Sequence, residues 1–380
     1  MEILVLGYGN VGSIVAKDLA ESMPSANVAI AGRHEIKAKE VAATINRKNV
    51  TTIRLDADAY DGIVDAMKTF DLIVGTLPGD LGYRSIQAAI DAKVDMVDVS
   101  YMPENPLTLD KHAIKAGVTV VPDCGVAPGL SNLLVGHVLS KLDQVESIHI
   151  MVGGLPKKPV PPLGYVLTWS PTDLIDEYTR KANIIQKGRV VEVEPLTGLE
   201  EIEFPGVGKL EGFYTDGLRT LLYTIKDVKN MWEKTLRYPG HAHSIKLLET
   251  LGFFSKDPIQ VDKARLAPRD VTVEVLKKSL LRPEVEDLLA MKVEVSGTAK
   301  REKKRYVYHL LDHYDRENAI KAMARTTAYP ASIVSQLIAK NMVQKKGLVP
   351  LEKLGARDNI FSTIMTELEK RHVKILESVQ

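Results

Sequence analysis

Between residues 211 and 243, in "EGFYTDGLRTLLYT" and "KTLRYPGHAH", stand Tyr214, Asp216, Arg219, Arg237, Tyr238, His241 and His243. A guanidinium presents parallel donors that match a carboxylate with two hydrogen bonds, so Arg219 and Arg237 are candidate clamps for an acidic substrate. His241 and His243 are candidate general bases, because imidazole titrates near neutrality; the alternative for each is a surface or helix-cap histidine. The "HAH" spacing, without a nearby carboxylate pair, is a poor zinc signature, and no metal is expected. A second set of reactive types lies at the ends of short apolar runs. "DLIVGTLP" ends in Thr76, Leu77 and Pro78, "DMVDVSY" ends in Asp98 to Tyr101, and "VTVVPDCGVAPG" ends in Asp123 to Gly129. An isolated aspartate of this kind is more often a cap or turn residue. Several converging strand ends make Asp98, Ser100, Tyr101 and Asp123 candidates for a reacting site, with Asp123 a candidate base.

The element that would bring those strand ends together begins at "LVLGYGNVG". Gly7, Gly9 and Gly12 fall in G-x-G-x-x-G spacing directly after a strand and at the opening of a helix. Gly7 supplies the tight turn, Gly9 lets a pyrophosphate approach the backbone, and Gly12 lets helix and strand pack closely. The free N–H groups of the helix start then receive the anion. Gly7, Tyr8, Gly9, Asn10, Val11 and Gly12 are therefore expected to hold a dinucleotide. About 20 residues on, an acidic side chain would bind the adenosine ribose, but "VAIAGRH" has Gly32 and Arg33 there. Arg33 can attract a 2′-phosphate and stack on adenine, which favours NADP; if it only covers the adenine, NAD or both cofactors serve. Thr76, Leu77, Pro78, Asp98 and Ser100 would face the nicotinamide half.

The first 122 residues alternate six short apolar runs with amphipathic helical segments, the pattern of a parallel sheet covered on both faces. This is a doubly wound α/β Rossmann domain, expected over 1–128. Residues 129–315 read as an α+β substrate and catalytic domain with a mainly antiparallel sheet. In it, "RVVEVEPL", "VTVEVLKKSL" and "MKVEVSGTAKREKKRYVYHLLD" are read as strands, with "KREKKR" at the solvated end of a hairpin. Ser170 and Pro171 are read as the N-cap and first residue of a helix, and the adjoining Trp169 as a core or pocket-wall residue. Residues 316–380 return to helix, broken at Pro330.

The totals agree with a two-domain globular chain of 380 residues, 45% hydrophobic and 26% charged, with a formal net charge of +1. That balance argues against nucleic acid or an anionic membrane as the main partner. A single cysteine, Cys124, excludes an internal disulfide and a cysteine-based zinc site. No apolar run reaches about 18 residues and no basic leader opens the chain, so it is expected to be soluble and cytoplasmic.

With those residues in view, the chain resembles the saccharopine reductase and lysine 6-dehydrogenase superfamily. The matching phrases run in order from "GYGNVG" through "TLPGDLGYRSIQAAIDAKVDMVDVSY", "KAGVTVVPDCGVAPGLSN" and "MWEKTLRYPGHAHSIKLLETLGFF" to "TTAYPASIV". The long central phrases look most like the lysine 6-dehydrogenase branch. The resemblance makes Thr235, Leu236 and Arg237 substrate-binding, with Tyr101 beside them. It also implies that the last helices pack back on the nucleotide domain and that the protein is a homodimer or larger. Saccharopine reductases carry a substrate-contacting acid in the segment matching "GVAPGL", where this chain has Ala127. Their "N-R-D-S-T" segment is replaced by "YTDGLRT", which leaves the role of Arg219 open.

The implied reaction is oxidative deamination at the lysine ε-carbon, giving 2-aminoadipate 6-semialdehyde, its cyclised piperideine carboxylate and ammonia. The alternatives are a reductase acting on a saccharopine-like or carboxynorspermidine-like secondary amine, and a non-catalytic dinucleotide sensor. Arg33 favours the first alternative, since saccharopine reductases are associated with NADP and the lysine branch with NAD. The density of polar residues at 211–243 argues against the sensor.

Overall fold

The computed structural model describes residues 1–380. The chain divides into two compact units. The first comprises Met1–Lys141, Arg219–Thr224 and Ala324–Val373; the second comprises Leu142–Leu218, Ile225–Met323 and Lys374–Gln380. The boundaries expected at 128 and 315 thus fall inside the first and second unit, and no sequence signal announced the excursion Arg219–Thr224.

The first unit is built on six parallel strands: β1 (Glu2–Leu6), β2 (Asn27–Gly32), β3 (Val50–Arg54), β4 (Leu72–Gly75), β5 (Asp95–Asp98) and β6 (Thr119–Val121). Their order is β6-β5-β4-β1-β2-β3, which reverses direction between β1 and β4 and so opens a ligand crevice at the carboxyl ends there. β4, and β1 and β2 after their exposed first residues, are almost wholly buried because helices cover both faces. One side of the sheet packs Leu4, Leu6, Ile73, Met96 and Val120 against Ile63, Ile86, Ala89 and Ala113 from the helices.

The tail completes this unit. Gly347–Leu348 adds a seventh parallel strand beside β6. Arg371 holds both carboxylate oxygens of Asp18 at 2.7 and 3.0 Å, fastening the tail to the first helix, α1 (Asn10–Ser22). Buried Glu352 accepts the hydroxyls of Thr220 and Thr224 at 3.1 and 2.6 Å, and Asn132 donates to Thr220 at 3.3 Å. These bonds tie the excursion Arg219–Thr224 to both the tail and the helix Leu130–Leu139. The helix Ala322–Ala339 passes through Pro330 unbroken, against the sequence expectation. A mid-helix proline costs ~3 kcal/mol, but every residue from Pro330 to Ile338 is buried, and that packing outweighs it.

The second unit carries a nine-stranded mixed sheet. Its central strand, β7 (Gln144–Pro156), runs parallel to Asn230–Arg237 and antiparallel to Asp287–Ala299. Gly208–Tyr214 and Glu200–Phe204 extend one side; Glu302–His313 and Ile375–Val379 extend the other. The strand Arg189–Val193 and the hairpin Asp287–Ala299/Glu302–His313 sit where the alternating pattern put them, with Lys300 and Arg301 in the turn.

"VTVEVLKKSL" differs from its expected strand. Residues Pro268–Leu280 form a helix, with Pro268 at its start, Asp270 in the first turn and Lys277 and Lys278 in the last. The alternation of Val271, Val273 and Val275 is misleading because Val271 and Val275 are exposed. The buried positions Thr272, Leu276 and Leu280 recur every four residues, which is the spacing of one helix face. That face joins Leu174, Ile175, Tyr178, Phe213 and Ile245 in the core of this unit. Ser170 caps the helix Pro171–Thr179 by accepting the Asp173 N–H at 3.3 Å, as its sequence position implied. Trp169 packs at the edge of the same core.

Candidate active site

The glycine-rich turn has the geometry its spacing implies. Gly7 lies at φ +109°, in the region that disfavours side chains. A Cβ at Gly12 would stand 2.3 Å from the Gly7 carbonyl oxygen, so only glycine lets α1 approach β1 this closely. At Gly9 a Cβ would meet nothing within 4 Å, leaving open space in front of the helix start. No side chain caps Gly9, so the first N–H groups of α1 remain available to an anion. Together these features fit the pyrophosphate of a dinucleotide. Asn10 is exposed and Val11 half-buried at the helix start. Thr76 closes the turn from β4, its N–H and hydroxyl both donating to the Leu6 carbonyl at 2.9 and 2.7 Å. Beyond it, Leu77 leans on the core while Pro78 is exposed.

The end of β2 explains the missing acid. The ring of Tyr8 lies over Gly32 so closely that a Cβ there would fall 1.9 Å from Tyr8 Cε1. Any side chain at 32 would displace that ring. Arg33 is exposed and meets the carboxylate of Asp58, from the loop after β3, at 3.4 Å. A negative charge therefore stands beside Arg33, delivered by the loop after β3.

The ends of β5 and β6 bring two buried aspartates, Asp98 and Asp123, near one another. Asp98 is fully buried: Oδ1 accepts the Ser100 N–H at 2.9 Å and the Ser100 hydroxyl, while Oδ2 has no partner. Burial raises its pKa to about 7; the bonds from Ser100 oppose that rise, nearby Asp123 adds to it and Arg219 counters it. Asp98 thus holds the Ser100 loop rather than lying open at the surface, and half-buried Tyr101 follows directly. Arg219 directs its guanidinium at Asp123, with Nε and Nη2 each 3.3 Å from Oδ1, and Nη2 also donates to the Glu104 carbonyl at 3.2 Å. Both Asp123 and Arg219 are buried and adopt left-handed backbone, at φ +52° and +51°. Two strained non-glycine residues meeting in one ion pair are a mark of a functional site.

The second unit holds a separate polar lane. Glu233, Thr235 and Arg237 alternate along one strand, so their side chains share the sheet face covered by helices, and all three are buried. The helix Pro171–Thr179 lowers Glu177 onto that lane: its Oε2 accepts Arg237 Nη2 at 2.7 Å and its Oε1 accepts the Thr235 hydroxyl at 2.8 Å. Arg237 also lies over the Tyr165 ring at 4.7 Å and donates Nη1 to the Leu236 carbonyl at 2.9 Å, while its buried Nε has no partner. Burial keeps Glu233 protonated well above the usual carboxylate range, and Thr215 bridges it to Thr235.

The structure distributes the expected residues unevenly. Asp123 and Arg219 are brought together, and Thr235 and Arg237 share a face. Leu236 turns its side chain to the opposite face, into a cluster with Leu155, Phe204 and Leu210. His241 lies inside the second core, with Nε2 on the Tyr178 hydroxyl at 2.8 Å and Nδ1 on the Leu163 carbonyl at 2.9 Å. Burial, then the charge of Arg237, press its pKa down to about 3, so it is neutral and fully engaged at pH 7. His243, two residues on, is exposed.

Glu177, Tyr165, Glu233 and Asp58 went unnoticed in the sequence. Only Glu177 had a usable signal, lying three residues after buried Leu174 on the inward stripe of its helix.

Two family models account for nearly all of this. Residues 3–121 match the saccharopine dehydrogenase NADP-binding domain and residues 125–373 match the saccharopine dehydrogenase C-terminal domain. The chain belongs to the saccharopine dehydrogenase family. Its first unit is accordingly a nicotinamide-dinucleotide-binding domain, for NAD or NADP.

Among relatives of the family, the Pyricularia oryzae saccharopine dehydrogenase (NADP(+), L-glutamate-forming) is 27% identical over 289 residues, 73% of this chain and 63% of that enzyme. The rat mitochondrial alpha-aminoadipic semialdehyde synthase is 28% identical over 273 residues, 67% of this chain but only 29% of that longer enzyme. A carboxyaminopropylagmatine dehydrogenase of Synechocystis is 22% identical over 374 residues, 93% of this chain and 92% of that one. The solved saccharopine dehydrogenase (L-Glu forming) of Saccharomyces cerevisiae shares the fold, with a TM-score of 0.80 at 20% identity over 100% of this chain and 99% of the other. No helix is long and apolar enough to cross a membrane.

Proposed function

We propose that this member of the family is an NAD(P)-dependent oxidoreductase acting on a carbon–nitrogen bond, with the ε-amine of L-lysine as its substrate. The observation that carries the reading is the buried Asp123–Arg219 pair at the carboxyl end of β6, in the same unit as the glycine-rich turn. The balanced reaction is lysine, water and oxidised cofactor to 2-aminoadipate 6-semialdehyde, ammonium, reduced cofactor and a proton. Bound at the glycine-rich turn, the nicotinamide supplies the hydride acceptor.

The chain's own task is to handle protons and charge. A substrate ammonium has no lone pair with which to expel hydride, so it must first be deprotonated. Asp123 is the group we assign to that proton, with Arg219 fixing its orientation through two bonds to Oδ1. After hydride loss Asp123 gives its proton to solvent; the iminium carbon then takes up water, and the regenerated carboxylate passes that water's proton to the nitrogen, which leaves as ammonia. Arg237 is the proposed anchor for the substrate carboxylate, since a guanidinium beside carboxylate is a strong charge-assisted contact. Ala127, where saccharopine reductases carry an acid, favours a substrate smaller than saccharopine.

Arg33 and the NADP-dependent fungal relative support a second reading, a secondary amine of the saccharopine kind oxidised or formed with NADP. Initial rates with lysine, saccharopine and simple diamines, each with NAD and with NADP, separate the two. Reduced cofactor formed with lysine is the expected result. Its absence under both cofactors, with turnover of saccharopine, would replace the first reading by the second.

A further inference from the structure

Arg237 and Glu177 form a buried pair whose purpose is not stability. Replacing such a pair by apolar groups is often neutral or stabilising, so its presence calls for another cause. Three details point to one. Arg237 Nε is buried without a partner, and a donor left unmet costs ~1–3 kcal/mol unless something accepts it. Glu177 is the less enclosed member, its side chain 12% exposed against 3% for Arg237. The two side chains also meet directly, Arg237 Nη2 at 2.7 Å from Glu177 Oε2, so the pair presents one positive and one negative charge side by side.

We infer that Glu177 is a specificity residue that accepts the α-ammonium of an amino acid whose α-carboxylate meets Arg237. A zwitterionic head group presents those two charges on adjacent bonds, and a fixed pair of opposite charges receives both without burying a net charge. Neither a simple amine nor a simple carboxylic acid can satisfy the pair alone: each leaves one member facing an uncharged group, which is the most effective way to reject an analogue. Thr235 holds Glu177 from the side through its hydroxyl, which keeps Oε1 in register with the lane. Tyr165 covers the face of the guanidinium, and with Nη1 and Nη2 already bonded, Nε is the donor left for a ligand carboxylate.

This inference rests on the proposed amine substrate and names the head group that the Arg237–Glu177 pair would read. The test uses the full-length enzyme with three ligands: lysine, 6-aminohexanoate, which lacks the α-amino group, and cadaverine, which lacks the carboxylate. In the wild type, lysine is expected to have a KM at least tenfold below either analogue. Glu177→Gln should raise the lysine KM at least tenfold and leave that of 6-aminohexanoate within twofold, with Glu177→Asp restoring part of the loss. Arg237→Lys should raise the KM of lysine and 6-aminohexanoate but not of cadaverine. Equal KM rises for lysine and 6-aminohexanoate in Glu177→Gln, or an unchanged lysine KM, would overturn the assignment. If Glu177→Gln does not fold, the wild-type comparison decides: no discrimination between lysine and 6-aminohexanoate refutes the role of Glu177. If the wild type does not oxidise lysine, the proposed reaction fails but this inference is still tested by thermal shift. Stabilisation by lysine or saccharopine and not by 6-aminohexanoate upholds it, and equal stabilisation by all three overturns it.

Discussion

Replacing Asp98 by asparagine isolates the charge of one buried carboxyl. In the folded chain burial raises its pKa from 3.8 to about 7, whereas in the unfolded chain it titrates near the ordinary value. Between pH 4 and pH 7 the folded state therefore holds a proton that the unfolded state has released. The stability associated with that proton is complete below pH 4 and is lost as pH rises through 7. A shift of this size corresponds to roughly 4 kcal/mol, of which roughly 3 falls between pH 5 and pH 8. Asparagine cannot ionise and keeps an oxygen for the Ser100 N–H. Its amide nitrogen, however, takes the place of Oδ2, which has no partner, at a cost of ~1–3 kcal/mol at every pH. Asp98→Asn should thus be equal to or less stable than the wild type at pH 5 and roughly 1–3 kcal/mol more stable at pH 8. Urea midpoints for unfolding of the first unit, taken across that range, measure the difference. Parallel curves for the two proteins would refute the reasoning, because they would mean that Asp98 carries the same charge folded and unfolded.

Two glycines of the nucleotide turn should behave differently. Gly12→Ala drives a Cβ to 2.3 Å from a backbone oxygen and should cost ~1–3 kcal/mol of stability along with cofactor binding, whereas Gly9→Ala, with open space around it, should melt like the wild type and lose only cofactor affinity. Asp58→Asn should raise the kcat/KM ratio of NADP over NAD about three- to tenfold, since it frees Arg33 from an exposed ion pair worth ~0.2–1 kcal/mol and removes a charge that repels a 2′-phosphate; an unchanged ratio would place the cofactor's ribose elsewhere. His241, with its pKa lowered to about 3, should contribute stability that is present above pH 6.5 and lost as pH falls toward 3, where the unfolded chain takes up the proton first. His241→Gln should flatten that acid limb in a thermal-melt series, and should not shift the pH optimum of catalysis.

The parallel sheet and the glycine turn were legible because each rests on local rules, apolar runs and turn chemistry; the strand order that opens the crevice between β1 and β4 is set by tertiary pairing and was not. Pro268–Leu280 was misread because alternating valines imitate a strand, and only the burial of Thr272, Leu276 and Leu280 reveals the helical face. Pro330 was read as a break because its local cost is visible in sequence while the packing that outweighs it is not. The ion pairs within each unit join residues from separate elements: Asp123 with Arg219 and Arg33 with Asp58 in the first, Glu177 with Arg237 in the second. The first arginine was marked as a clamp for ligand because nothing in its neighbourhood announces an aspartate 96 residues away.

The discontinuity of the first unit bears on how the protein is made. When residue 141 leaves the ribosome, the parallel sheet still lacks its edge strand Gly347–Leu348, Asp18 lacks Arg371, and Asp123 lacks Arg219. At ~5–20 residues per second, synthesis of the missing pieces takes roughly 10–50 s more. Through that interval the nascent nucleotide-binding unit carries an uncovered sheet edge and an uncompensated acid cluster, so a nascent-chain complex stalled before residue 340 should be protease-sensitive and should not retain cofactor. Assembly of the first unit therefore waits for Arg219–Thr224 and Ala324–Val373, long after most of its parallel sheet has been made.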